Sequence, residues 1–141
     1  MAETKPQSVC AGVVIQQIEN NPRVLLLQRI SGGEEWWTFP GGGQEAGEST
    51  ERCLAREFQE ELGRSAQVMR HLFSRLGRGA KGQLINLHVF LVALVGVGYD
   101  VKFNGEHCGF AWMSRQDVAN CPHLTEVTRE CLKVLVETGV L

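Results

Sequence analysis

Apolar residues fall along this chain in short blocks separated by glycine- and asparagine-containing turns, and only two segments carry them at helical spacing. Residues 9–18 are rich in Val and Ile and predict a strand. Glu19-Asn20-Asn21-Pro22 has turn chemistry. Residues 24–28 are almost continuously apolar, as expected of a central strand covered on both faces. Residues 31–35 read as a glycine-containing loop. Residues 36–39 form a short extended piece ended by Pro40, which has no N–H to give to a ladder. After a glycine-rich loop over residues 41–47, Ser49 or Thr50 is suited to cap a helix that runs to about Leu62, with Gly63 at its C′ position. Cys53, Leu54 and Phe58 give that helix its apolar stripe. Residues 67–76 and 83–95 predict two strands joined by the loop Gly77-Arg78-Gly79-Ala80-Lys81-Gly82. An extended stretch over residues 99–103 and a strand over 110–113 follow. A closing helix over 125–137 turns Val127, Cys131, Val134 and Leu135 inward. The order is strands, helix, strands, helix without regular βαβ alternation, so the expected architecture is α/β, a mixed β-sheet between two helical layers.

At 141 residues the chain suits one domain, residues 9–141, behind a loose polar tail of residues 1–8. Fourteen basic and sixteen acidic residues leave a net charge of −2, which argues against a duplex nucleic-acid binder. It leaves room for a polyphosphate substrate whose charge is met by a metal ion. The five cysteines are odd in number and widely spaced, so reduced thiols in a reducing compartment are expected, and no zinc set is evident. Residues 1–8 lack an apolar signal-peptide region, and the longest apolar run, residues 89–95, is too short to span a bilayer. A cytoplasmic protein, with no membrane partner and with a homodimer left open, is the expectation.

The candidate chemistry lies on the first helix. Glu57, Glu60 and Glu61 stand at i, i+3 and i+4, hence on one face, where like charges repel. A hard divalent cation reverses the sign of that interaction, and Mg²⁺ takes oxygen ligands of this kind together with substrate phosphates. Glu48 lies just before the same helix. A solvated acidic face is the alternative reading of these four residues taken alone.

The wider spacing is Gly42, five residues, Glu48, seven residues, then Arg56-Glu57-Phe58-Gln59-Glu60-Glu61-Leu62-Gly63. This resembles the Nudix box, Gly-x5-Glu-x7-Arg-Glu-U-x-Glu-Glu-x-Gly-U with U a bulky apolar residue. Every fixed position matches except the last, where Arg64 stands for U. Trp37-Thr38-Phe39-Pro40-Gly41-Gly42 also looks like the family's approach to the box. The resemblance implies a Nudix-like α/β/α sandwich and a hydrolase of nucleoside diphosphate-linked substrates. It implies Mg²⁺ as cofactor, with Mn²⁺ as an admissible substitute. The ion would be held by Glu57, Glu60, Glu61 and the carbonyl of Gly41, and Arg56 would orient the glutamates through a salt bridge with Glu48. It further implies a second acidic site after the box, for which Glu106 is the candidate as metal ligand or base. An exposed loop histidine is the plainer reading of the neighbouring His107.

Other signals give the substrate end. Arg75, Arg78 and Lys81 cluster around a glycine-rich loop, with Arg78 a candidate for substrate phosphates. Trp36 and Phe39 are candidates for holding a base, although strand alternation pairs Phe39 with Trp37 rather than Trp36. Gly41-Gly42-Gly43-Gln44-Glu45-Ala46 formally fits a dinucleotide fingerprint, but Glu45 and Glu48 would repel a bare pyrophosphate there. Family subgroups often carry a proline or tyrosine beyond the box, and residues 77–81 hold neither. That favours a (deoxy)nucleoside triphosphate, cut to a nucleoside monophosphate and pyrophosphate. A dinucleoside polyphosphate or a nucleotide sugar is the alternative, and a non-catalytic nucleotide-binding module is a second.

Overall fold

The computed structural model describes residues 5–102 and 107–141. In order, the chain forms β1 (Gln7–Val13), β2 (Ile15–Ile18), β3 (Asn21–Ser31), β4 (Glu34–Thr38), β5 (Gly41–Gly43), α1 (Thr50–Leu62), β6 (Ala66–Arg78), β7 (Leu84–Leu94), β8 (His107–Met113), α2 (Arg115–Ala119) and α3 (Glu126–Glu137). One sheet has the order β5-β1-β7-β6, mixed because β1 runs parallel to β7 and antiparallel to β5. In the other, β3 carries β2, β4 and β8 as antiparallel neighbours.

Two hydrophobic clusters lie on opposite faces of these strands. Val24 and Leu26 of β3 join the cluster that holds Val127, Cys131 and Leu135 of α3. Leu25 and Leu27 join the one that holds Cys53, Leu54, Phe58 and Leu62 of α1. All four β3 residues are fully buried, the two-sided covering that their unbroken apolar run predicts. The mixed sheet between helical layers is therefore the observed architecture. Phe58 is fully buried under α1, and truncating it to Ala should cost about 3–5 kcal/mol.

Several boundaries differ from the sequence reading. The strand expected over 9–18 starts at Gln7, taking in two residues assigned to the tail, and breaks at Val14. There the chain passes from one sheet to the other, and the Val14 carbonyl accepts the Leu25 N–H at 3.1 Å. The turn narrows to Glu19 and Asn20, at φ 52° and 63°, and Pro22 lies within β3. Glu34 and Glu35 belong to β4 rather than to a loop. The first three residues of the glycine loop pair with β1 as β5, a strand with no side chains to announce it. α2 is an additional helix, set by a capping box in which Ser114 and Asp117 satisfy each other's backbone N–H groups. Cys10 and Cys53 form a disulfide between β1 and α1, in place of two of the expected thiols, while Cys108, Cys121 and Cys131 are free. Residue 103 and Glu106 lie outside the described residues. Among the described residues no helix is long and apolar enough to cross a membrane.

Candidate functional site

α1 places the acidic residues because its two ends are fixed. The Ser49 hydroxyl accepts the Arg52 N–H at 3.1 Å, and Gly63 closes the helix in the left-handed region at φ 63°. With Cys53, Leu54, Phe58 and Leu62 committed to the core, Arg56, Glu57, Glu60 and Glu61 are left toward β5 and the 44–48 loop.

Arg56 organises that face. Its Nε and Nη2 donate to the two carboxylate oxygens of Glu48 at 2.8 and 3.0 Å, and Nη2 also donates to the Gly43 carbonyl at 3.0 Å. Nη1 donates to Glu57 at 2.9 Å and reaches Glu60 at 3.4 Å. A two-pronged guanidinium–carboxylate pair of this kind fixes direction as well as distance. The Arg56 hydrogen bond, helped by the Glu45 N–H, holds the Glu48 carboxyl down at about 2.

The glycines of β5 are required by what they touch. Gly41 has φ 144°, and a Cβ there would strike the Cys10 carbonyl. A Cβ on Gly42 would come within 2.5 Å of the Glu57 carboxyl carbon. Each Sγ of the Cys10–Cys53 disulfide lies 3.4 Å from the Gly42 carbonyl oxygen.

Glu61 is 6% exposed, accepts the Gly41 N–H at 3.0 Å, and has His107 Nε2 3.0 Å from its other oxygen. Its carboxyl is pushed up to about 9, first by burial, then by a hydrogen bond to the Glu57 carboxyl and by the Glu57 charge. The Gly41 N–H and the Arg29 charge oppose that rise. Two carboxyl groups in hydrogen-bond contact need either a shared proton or a cation between them. The two carboxylates themselves offer hard oxygens, so this pair fits Mg²⁺, which typically uses one or two carboxylates and keeps several waters. As the side chains stand, no group of three or more His, Cys, Asp and Glu among the described residues converges on one point. Glu60 instead points outward toward Arg56, its side chain 59% exposed.

A cleft of about 320 Å³ opens beside β5. Arg29, Trp36, Phe39 and Lys81 line it, with Thr125 and Thr128 of the α3 N-terminus. Trp36 is half-buried and stands edge-on to His123, while Phe39 is almost fully buried. Phe39 lies in the α3-side core on which Trp37 also packs, as strand alternation pairs them, and it lines the cleft with Trp36 as well. Arg78 is not in the lining. Its guanidinium donates to the Gly82 carbonyl at 3.3 Å, and Lys81 is the basic residue of that loop at the cleft. Arg75 bonds Glu130 at 3.2 Å. His107 is not an exposed loop residue: it opens β8 with its side chain 9% exposed.

Sequence reasoning missed Arg29, Thr125 and Thr128. Arg29 follows the apolar run of β3 as if leaving the core, yet by strand alternation it shares the face of Leu25 and Leu27, and its charge reaches Glu61. Thr125 and Thr128 carry a signal the sequence does display, an N-cap threonine with a second hydroxyl three residues on, bonded at 2.8 Å.

The NUDIX domain family matches residues 6–135. The chain is 28% identical over 128 residues to nucleoside diphosphate-linked moiety X motif 6 of Xenopus laevis, covering 89% of this chain and 58% of that protein. It is 30% identical over 129 residues to the nucleoside triphosphatase NudI of an Enterobacter species, covering 83% of this chain and 90% of the relative. Among solved structures, a MutT protein from Methanosarcina mazei superposes with a TM-score of 0.80 at 22% identity, over 98% of this chain and 99% of that one. With the box carried on α1 and the match running almost end to end, the chain belongs to the Nudix hydrolase family.

Proposed function

We propose that this chain is a divalent-cation-dependent pyrophosphohydrolase that cuts a (deoxy)nucleoside triphosphate to a nucleoside monophosphate and pyrophosphate. The observation that carries the reading is one cleft lined both by the glycines of β5, which back onto Glu57 and Glu61, and by Trp36 and Phe39. At about 320 Å³ it lies at the small end of ligand pockets, which suits one nucleoside rather than two. The NudI relative, named a nucleoside triphosphatase, supports the same substrate class.

In this reading Glu57, Glu61 and the Gly41 carbonyl hold the cation, and Glu60 joins them by turning from Arg56. The bound cation supplies positive charge to the diphosphate oxygens and polarises a water. Arg56 and Glu48 keep Glu57 against β5. Arg29 and Lys81 take phosphate oxygens, orienting the chain of phosphorus atoms for in-line attack. Trp36 offers a flat face to the base. Glu106 is the remaining candidate for the attacking water's proton.

The test is product analysis on a panel of nucleoside triphosphates, dinucleoside polyphosphates and nucleotide sugars with Mg²⁺. Monophosphate and pyrophosphate in equal amounts from a triphosphate is the expected result. Turnover confined to dinucleoside polyphosphates or nucleotide sugars would overturn the substrate class. Tight nucleotide binding without any product would make the chain a binding module.

A further inference from the structure

A row of hydrogen-bonded side chains crosses the first sheet and ends in the loop before α1. On β6, His71 Nε2 lies 3.1 Å from Ser74 Oγ. Ser74 Oγ lies 2.8 Å from Nδ1 of His88, its direct partner on β7. His88 Nε2 lies 3.0 Å from Ser8 Oγ on β1. Ser8 Oγ donates to Gln44 Oε1 at 2.7 Å, and Gln44 Nε2 donates to the Glu48 carbonyl.

The last acceptor sets the direction of the whole row. A backbone carbonyl only accepts, so the Gln44 amide must turn its NH₂ to Glu48 and its oxygen to Ser8. Ser8 must then spend its hydroxyl proton on Gln44 and accept from His88. His88 must carry its proton on Nε2 and accept at Nδ1 from Ser74, which accepts in turn from His71. Every link donates toward the loop, and aligned links of this kind polarise one another. Burial, with the nearby His71 adding, depresses the affinity of His88 for a second proton, in keeping with the neutral ring this direction needs.

The loop at the end of the row is the one that presents Glu48. Gln44 is bound to Ser8 a second time, its backbone N–H donating to the Ser8 carbonyl at 2.9 Å. Within the turn, Glu45 N–H donates to the Glu48 carboxylate at 3.1 Å, and Glu48 N–H to the Glu45 carbonyl at 3.1 Å. That carboxylate receives Arg56, which holds Glu57. A row that served the sheet alone would stop at Ser8; this one continues 36 residues along the chain.

We propose that His88 is a positioning residue for the hydrolytic site: through Ser8 and Gln44 its Nε2–H holds the 44–48 turn, and with it the Glu48–Arg56–Glu57 array. The proposal rests on the reading of Glu57 as a cation ligand. His88 itself touches neither cation nor substrate.

Nitrogen-15 spectra of the whole protein, without cation or nucleotide, should show His88 as the Nε2–H tautomer. His88→Leu should weaken Mn²⁺ binding about tenfold and lower kcat by a similar factor, with KM changed less than about threefold. It should also speed amide exchange at residues 44–48. Gln44→Leu should do the same, the double variant should be no worse than either single one, and His88→Gln, which restores a donor, should recover most of the loss. An Nδ1–H tautomer, wild-type Mn²⁺ affinity in both single variants, or losses that multiply in the double variant would overturn the proposal. If His88→Leu does not fold, Ser8→Ala and Gln44→Leu carry the same comparison from the loop end. If the unsubstituted protein turns over no nucleotide, the functional reading fails, while the tautomer and the exchange rates still decide the positioning.

Discussion

The acidic face of α1 and the cleft beside β5 are two ends of the site built in opposite ways. The acidic end comes almost entirely from one continuous segment, residues 41–61, in which β5, a five-residue turn and α1 bring Gly41, Glu48, Arg56, Glu57 and Glu61 together. The other end is collected from β3, β4, the β6–β7 loop and the start of α3, so that Arg29, Trp36, Lys81 and Thr125 meet only after folding. One end depends on spacing along a helix and admits few changes. The other depends on tertiary packing and can be retuned residue by residue. In the proposed function, chemistry falls where the sequence is rigidly spaced, and substrate choice where it is dispersed.

Substitutions at the acidic end should have the largest effects. Glu57→Gln and Glu61→Gln each keep shape and helix propensity, and each should lower kcat about 10²–10³-fold, the loss typical of a group that stabilises transition-state charge. Both proteins should remain folded by circular dichroism. Near wild-type kcat in both would mean that the carboxyl pair serves the fold and not the chemistry.

The same end has a pH signature. Glu61 is raised from an ordinary 4.5 to about 9, so between those values the folded state holds a proton that the unfolded state has lost. Stability of the cation-free protein from this group is therefore lost as pH climbs through that window. Melting temperature, measured in EDTA, should fall with rising pH more steeply in the wild type than in Glu61→Gln, and Mg²⁺ should remove the difference. Parallel melting curves for the two proteins would contradict the carboxyl pair.

At the dispersed end, effects should be smaller and graded. Arg29→Met would remove the charge-assisted phosphate contact proposed for this residue and should lower kcat/KM about 10–100-fold. Lys81→Met should cost less, being at an exposed loop, and Arg78→Met should change little because its guanidinium serves the Gly82 carbonyl. Trp36→Ala should act mainly on KM, raising it about tenfold, in the range of base–aromatic stacking. A Trp36→Ala loss confined to kcat would place the base elsewhere.

The same contrast explains what was legible in the sequence. α1 announces itself through the Ser49 cap, the stripe of Cys53, Leu54 and Phe58, and the left-handed Gly63. β3 announces itself as a run covered on both faces. β5 could not, because three glycines carry no alternation, and their pairing with β1 is a consequence of what Gly41 and Gly42 must pass closely. The crossing between sheets at Val14 leaves the apolar run unbroken and so is silent in it. α2 was legible in principle from Ser114 and Asp117, three apart before an apolar residue. Arg29 was not, since it meets the cleft and the Glu61 carboxyl only through the packing of β3 with other elements. The Cys10–Cys53 disulfide was hidden by spacing: its partners are 43 residues apart and are brought together only by α1 packing on β1.

The most direct test of the central claim is turnover of a nucleoside triphosphate after exhaustive EDTA treatment, followed through a titration with Mg²⁺. The carboxylate oxygens of Glu57 and Glu61 predict no pyrophosphate release without the cation and a saturable return with it. Undiminished release in EDTA would contradict the account.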